Sequence, residues 1–122
     1  MDPLAGSREE VFDPSSIIAG TAPVVTDSEV VAASQTIDQF APLGRVTASG
    51  LLIESVPGAS DGSQVPVAIA VHAIDTTDGA AAHPVYKGGQ FNEDKVVWHA
   101  SWTAAQKAGA FDGSPIVLVS VA

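Results

Sequence analysis

The sequence predicts a mainly β fold, a β-rich α+β domain with one short helix near the C terminus and an extended N-terminal arm. From Thr21 onward, short β-branched segments alternate with turns rich in Gly, Pro, Ser and Asp. A convincing helical pattern occurs only at residues 101–110, and the first ten residues follow no period. The 122 residues suffice for one domain. We therefore assign 1–20 to the arm and 21–122 to a single β-rich domain.

The most apolar segment, residues 65–74, lies in the middle of the chain. It is too apolar for a strand with one wet face, so we place it centrally in the sheet. Polar loops flank it at 57–64 and 75–79. We expect a turn at 42–44. Further short strands are expected at 23–26, 29–32, 36–40, 45–48 and 51–56.

The last third of the chain carries most of the aromatic side chains. A buried ring removes more apolar area from water than Ala or Val does, so we expect these rings to nucleate the core. We interpret residues 87–89 as a hairpin turn, and 115–121 as a closing apolar strand. The rings are Tyr86, Phe91, Trp98, Trp102 and Phe111.

The helix is expected to span residues 101–110. Ser101 is suited to cap its first turn, and Gly109 suits the left-handed position after its last turn. Trp102 and Ala105 fall on one face of this helix, so it should pack against the domain.

Charge and composition exclude several classes of function. Fourteen acidic and five scattered basic residues give a net charge of −9, which argues against nucleic-acid binding because phosphate contacts need clustered Lys and Arg. Without cysteine there is no disulfide or thiolate metal site. No apolar run is long enough for a membrane span, and the N terminus lacks a signal-peptide pattern, so we expect a soluble protein made in the cytoplasm.

No pattern of residues points to a catalytic, cofactor or metal site. His72, His83 and His99 form no i, i+4 pair, and phosphate-loop and calcium-loop motifs are absent from the sequence. Trp98 and Trp102 could form a platform for sugar stacking, although core or subunit-interface packing is the more common role of such residues.

A series of short motifs runs in a fixed order from Phe12 to the C terminus. The motifs are Phe12-Asp13-Pro14, Ile18-Ala19-Gly20, Pro23-Val24-Val25-Thr26, Ala32-Ala33-Ser34-Gln35-Thr36-Ile37, Leu43-Gly44-Arg45-Val46-Thr47-Ala48 and Gly89-Gln90-Phe91-Asn92-Glu93. In this order the chain resembles the lambda-type head decoration proteins of tailed phages. It departs from that pattern at Ser34, where a glycine is common, and at residues 39–42.

The resemblance implies a small compact β-barrel or β-tulip-like domain with little helix, and a structural virion protein. It implies a homotrimer on the outer surface of the expanded capsid, at three-fold sites, that binds the major capsid protein and stabilises the shell against internal DNA pressure. The acidic charge agrees with an outer position, since a component facing DNA would be expected to be basic.

We expect residues 11–25 to attach the trimer to the capsid by adding a strand to a capsid sheet, with Ile17 and Ile18 as anchors. Apolar surface left over by the domain should be shared between subunits around a three-fold axis. The arm candidates are Phe12, Ile17, Ile18, Ala19, Gly20, Thr21 and Val24. The candidates for the trimer interface are Tyr86, Phe91, Trp98 and Trp102.

Two alternatives stay open, a virion-surface or extracellular binding module, for example for glycans, and a small enzyme. The structural protein predicts a trimer and an arm that orders on its acceptor. The binding module predicts an exposed aromatic groove, and the enzyme a pocket with perturbed titratable groups.

Overall fold

Five strands close into a barrel in the computed structural model, which describes residues 17–19 and 23–120. The elements are β1 (Val25–Val31), β2 (Thr36–Ile37), β3 (Pro42–Arg45), β4 (Leu52–Glu54), β5 (Pro66–Ala70), β6 (Ile74–Asp75), β7 (Ala81–Asn92), a 3₁₀ turn (Glu93–Lys95), α1 (Ala104–Gly109) and β8 (Ile116–Val119). The barrel order is β1-β4-β3-β5-β7, closed by pairing of β7 with β1, and β8 extends the sheet beyond β7. The prediction of a β-rich barrel with one short helix near the C terminus is confirmed.

The twelve-residue strand β7 is the longest in the sheet and joins its two parts. Its first part pairs with β1 and β5 in the barrel, and residues 89–92 pair in parallel with β8. The hairpin turn predicted at 87–89 is therefore wrong, because these residues continue the strand. A side chain on Gly89 would meet Val24 and Phe91 at 3.3 Å, and the φ of Gly89 is 129°. The glycines here permit close packing and do not reverse the chain.

Several strand boundaries differ from the prediction, three of them substantially. Residues 25–31 form one strand where two were expected, and the turn expected at 42–44 is most of β3. The strand expected at 45–48 is wrong as well, since β3 ends at Arg45 and a turn follows at 47–49. For the turn expected at 42–44 the cause lies at Gly44, where the backbone of Ser63 crosses so closely that only glycine fits. A residue type common in turns is here required by a tertiary contact.

The core consists of two clusters with different compositions. The first cluster, on the barrel strands and the neighbouring β2 and β6, is formed by aliphatic side chains, which fit a narrow five-stranded barrel. The expectation that aromatic rings organise the whole core is therefore wrong for the barrel. Tyr86, Phe91, Trp98 and Phe111 lie in a second cluster around Phe91, at the β8 end of the sheet, which we call the aromatic cluster. Its buried members are Ile17, Ile69, Phe91, Val96, Phe111 and Ile116.

The helix begins later than predicted and does not pack as predicted. Thr103, and not Ser101, caps α1 in a capping box with Gln106. Gly109 is the last helical residue, and every residue of α1 is exposed. Trp102, which precedes the helix, packs against the domain instead, and its indole N–H donates to the carbonyl of Ser55 at 2.9 Å. This hydrogen bond holds Trp102 outside the helix, so the next residue with a hydroxyl group, Thr103, is the N-cap.

Ser34 has a left-handed backbone, with φ at 68°. This conformation costs an L-residue about 1 kcal/mol or more, and glycine avoids the cost. We expect Ser34→Gly to raise the free energy of unfolding by about 0.5–1 kcal/mol, measured by urea denaturation. The control is Ser60→Gly, at an exposed residue without a positive φ, which should be neutral or destabilising. A lower stability of the Ser34 variant would contradict this explanation.

Candidate interaction surfaces

The described end of the arm lies along the last residues of β7. The N–H of Ala19 donates to the carbonyl of Gln90 at 3.1 Å, and the N–H of Asn92 donates to the carbonyl of Ile17 at 2.6 Å. Ile18 is thereby aligned antiparallel with Phe91. Since β8 occupies the other edge of β7, residues 17–19 act as a third strand at this end of the sheet.

The two isoleucines of the arm have different environments. Ile17 is 5% exposed and belongs to the aromatic cluster, whereas Ile18 is 38% exposed. This follows from strand geometry, in which successive side chains point to opposite faces. The prediction that both isoleucines anchor the protein to a partner therefore suits Ile18 alone, because the side chain of Ile17 is already buried in its own domain.

The other arm candidates divide in the same way. Ala19 is buried, and Val24 is half-buried against the aromatic cluster, so both belong to the folded domain. Phe12, Gly20 and Thr21 lie outside the described residues. The fold therefore holds parts of the predicted arm at 17–19 and from residue 23 onward.

Two of the four interface candidates offer little side-chain surface to another subunit. Phe91 is fully buried and Trp102 is 8% exposed within the chain. Tyr86 and Trp98 are half-buried and reach the surface. Trp98 lies against Trp102, with ring centroids 5.0 Å apart and planes tilted by 59°. The two indoles thus do not present a flat, open pair of faces to a sugar.

An open groove of about 690 Å³ lies between the 3₁₀ turn, α1 and β8. Its charged residues are Glu93, Asp94, Lys107 and Asp112. The groove was not predicted from the sequence, although the uncharged strand expected at 115–121 indicated that the β8 edge of the sheet carries apolar surface. Its large apolar lining residues are Val96, Trp98, Phe111, Ile116, Val117 and Leu118.

The wall of this groove around Trp98 is fixed to the barrel by backbone bonds. The N–H of Val97 donates to the carbonyl of Phe40 at 3.1 Å, and the N–H of Phe40 donates to the carbonyl of Ala70 at 2.8 Å. Phe40 has a φ of 67°, which is rare for a bulky residue. With both backbone groups bonded, this strained residue connects β5 to the segment that carries Trp98.

Glu29 joins three strands of the barrel by ion pairs. Its carboxylate lies 2.6 Å from the Nζ of Lys87 on β7 and 3.4 Å from the Nη1 of Arg45 on β3. Hydrogen bonds from Lys87 and then Arg45 hold the pKa of Glu29 below its usual value. The two ion pairs therefore stabilise the fold when Glu29 is ionised.

We expect Glu29→Gln to lower the free energy of unfolding by about 0.5–1 kcal/mol at pH 7, a modest value because both cations are partly solvated. The depressed folded-state pKa means that this contribution is fully present above the unfolded-state pKa of about 4.3 and is lost as the pH falls through the folded value. Denaturation curves of both proteins should therefore converge in acid. A difference that stays constant down to pH 2 would contradict the ion-pair explanation.

The carboxyl groups whose pKa is shifted lie outside this groove. Burial raises the pKa of Glu54, partly offset by His99, but Glu54 does not line the groove. Hydrogen bonds from the hydroxyl and N–H of Ser63 lower the pKa of Asp61. Hydrogen bonds from the N–H and hydroxyl of Thr77 lower the pKa of Asp75, and both arrangements are usual in tight turns. Within residues 17–19 and 23–120, no group of three His, Asp or Glu side chains is placed to hold a metal ion. None of the helices described there is suited to cross a membrane.

Residues 8–117 match the family of the bacteriophage lambda head decoration protein D, which covers part of the arm and nearly all of the β-rich domain. No curated protein shows a significant match to the chain. The order of motifs from Phe12 onward, the β-rich fold and this match agree with one another. The chain belongs to the bacteriophage lambda head decoration protein D family and is a structural component of a phage capsid.

Proposed function

We propose that this protein binds as a homotrimer to the outer surface of the expanded capsid, at three-fold sites, and stabilises the shell against internal DNA pressure. Its partner is the major capsid protein. The observation that carries this proposal is the family match over residues 8–117, because it includes both the domain and the end of the arm. The net charge of −9 supports a position away from the packaged DNA.

The arm, residues 1–20, is the part that attaches to the capsid, and 21–122 is the body of the decoration domain. Residues 17–19 already lie as a strand along β7, with the side chain of Ile18 at the surface. A strand from a capsid subunit would extend this sheet and cover Ile18. Strand addition combines backbone hydrogen bonds with burial of apolar side chains, and it suits a short segment of low charge.

Subunit contacts in the trimer come from apolar surface that the barrel does not cover. Val25 and Val117 are each about half exposed, at 51% and 49%, and Val97 is 40% exposed. Tyr86 and Trp98 add partly exposed rings. A three-fold arrangement covers such surface in a closed assembly, whereas an open arrangement would continue to grow.

Binding to isolated heads tests this function. Purified protein should sediment with expanded empty heads and stay in the supernatant with unexpanded heads. Light scattering should give the mass of three chains, both for protein released from heads and for free protein at micromolar concentration. Heads carrying the protein should withstand heat or chelators better than bare expanded heads. Failure to bind either form of the head, or binding as a monomer, would overturn the proposal.

A further inference from the structure

Asp-Gly pairs occur in three loops of the chain, at 61–62, 78–79 and 112–113. Such a pair is chemically reactive, because the main-chain nitrogen of the glycine can attack the side-chain carboxyl carbon of the aspartate. Glycine has no side chain to obstruct this approach. Hydrogen bonds that hold the nitrogen or the carboxyl group elsewhere oppose the attack. The fold therefore decides which of the three pairs is free to react.

Two of the pairs are held by hydrogen bonds within the chain. The N–H of Gly62 donates to the Oε1 of Gln64 at 2.8 Å, and the carboxylate of Asp61 accepts two further hydrogen bonds. The N–H of Gly79 donates to the carbonyl of Thr76 at 3.0 Å. In both pairs the glycine nitrogen must lose a hydrogen bond before it can attack.

The third pair lacks such restraints. Within residues 17–19 and 23–120, the N–H of Gly113 donates no hydrogen bond and the carboxylate of Asp112 accepts none. Both residues are exposed. The hydrogen bonds of this turn join the N–H of Asp112 to the carbonyl of Gly109 and the N–H of Ser114 to that of Phe111. They leave the peptide group between Asp112 and Gly113 without a partner among the described residues.

We propose that Asp112 is a site of spontaneous isomerisation in the folded protein. The nitrogen of Gly113 forms a bond to the Cγ of Asp112, and a carboxyl oxygen leaves as water with the proton from that nitrogen and a second proton from the carboxyl group or solvent. The product is a five-membered succinimide. Hydrolysis returns one water, and opening of the ring at the former main-chain carbonyl leaves isoaspartate. The reaction needs water alone and no oxidant, reductant or enzyme.

Isoaspartate at position 112 would lengthen the main chain by one carbon atom in the turn between α1 and β8. The N–H and hydroxyl of Ser114 close this turn by donating to the carbonyl of Phe111 at 3.0 and 2.7 Å. Since the extra atom lies within the rings that these bonds close, the modification should weaken the turn and loosen α1. A capsid component is not replaced after assembly, so even a slow reaction accumulates in this protein.

The three pairs are controls for one another in a single experiment. The full-length protein is incubated in neutral buffer, with and without urea, and isoaspartate at each pair is quantified by enzymatic methylation and peptide mapping. In the folded protein we expect it to form at least about tenfold faster at 112 than at 61 or 78, because freeing a bonded N–H slows the reaction by roughly this factor. In urea this difference should disappear.

Similar rates at the three pairs in the folded protein would overturn the proposal, and so would a difference that persists in urea, because the local sequence and not the fold would then set the rate. Limited cleavage by trypsin after Lys107, on α1, measures the effect on the turn. Cleavage should become faster as the parent protein ages. It should stay constant in Asp112→Glu, whose longer side chain closes a six-membered ring far more slowly. The same change with age in both proteins would overturn the proposed loosening of α1.

Discussion

Gly44→Ala is expected to lower the free energy of unfolding by about 3 kcal/mol or more. A Cβ atom on Gly44 would lie 2.0 Å from the backbone oxygen of Ser63. That oxygen cannot withdraw without loss, since it accepts a buried hydrogen bond at 2.7 Å from the Oγ of Ser55. Relief of the overlap would separate β3 from the 57–64 loop. Urea denaturation of the variant measures the change.

Gly58→Ala is the matched control, because a Cβ atom there has no neighbour within 4 Å and its φ is not left-handed. Its stability should stay within about 0.5 kcal/mol of the parent. Equal stabilities of the two variants would mean that the Gly44 and Ser63 backbones are further apart than the structure has them.

Ile18→Ala is expected to weaken head binding by about 100-fold while leaving the domain folded. Burying the exposed part of this side chain contributes about 1 kcal/mol per arm, and three arms acting on one particle give about 3 kcal/mol. Sedimentation with expanded heads over a range of protein concentrations measures the loss. Saturation of heads by the variant at the parent's concentration would show that Ile18 does not contact the capsid.

Ile17→Ala is the contrasting variant, next in sequence but buried in the aromatic cluster. It should lower the free energy of unfolding by about 2–4 kcal/mol, as removal of a buried isoleucine does. A deletion of residues 1–20 would be a less specific test of the arm. Such a deletion removes Ile17 and Ala19 from the domain as well as the arm, so its loss of binding would mix two causes that the single substitutions keep apart.

The sequence predicted the parts of the fold that depend on local pattern. The central apolar segment became β5 and its flanking turns, and the hydroxyl-rich start at 101–103 led to a capped helix, two residues late. The errors at 42–44 and 87–89 share one cause. Glycine is favoured both in turns and where two backbones approach closely, and local sequence does not distinguish these uses.

The candidate surfaces show the same division. Two adjacent isoleucines look equivalent as apolar anchors, but the bonds from Ala19 to Gln90 and from Asn92 to Ile17 fix which face of the strand meets the core. A shift by one residue would exchange them. Likewise, Phe91 and Trp102 were sensible interface candidates by residue type, and only the packing of the chain buries them.

The sequence by itself determined the β-rich class, the position of the helix, the acidic character and, through the order of its motifs, the family. These properties depend on composition and on contacts between near neighbours. The tertiary structure decided which glycines continue strands, which isoleucine of the arm is exposed, and that a groove opens between α1 and β8. Each of these depends on residues distant in sequence, such as Gly44 and Ser63 or Ile17 and Phe111, whose meeting is set by barrel closure and strand register.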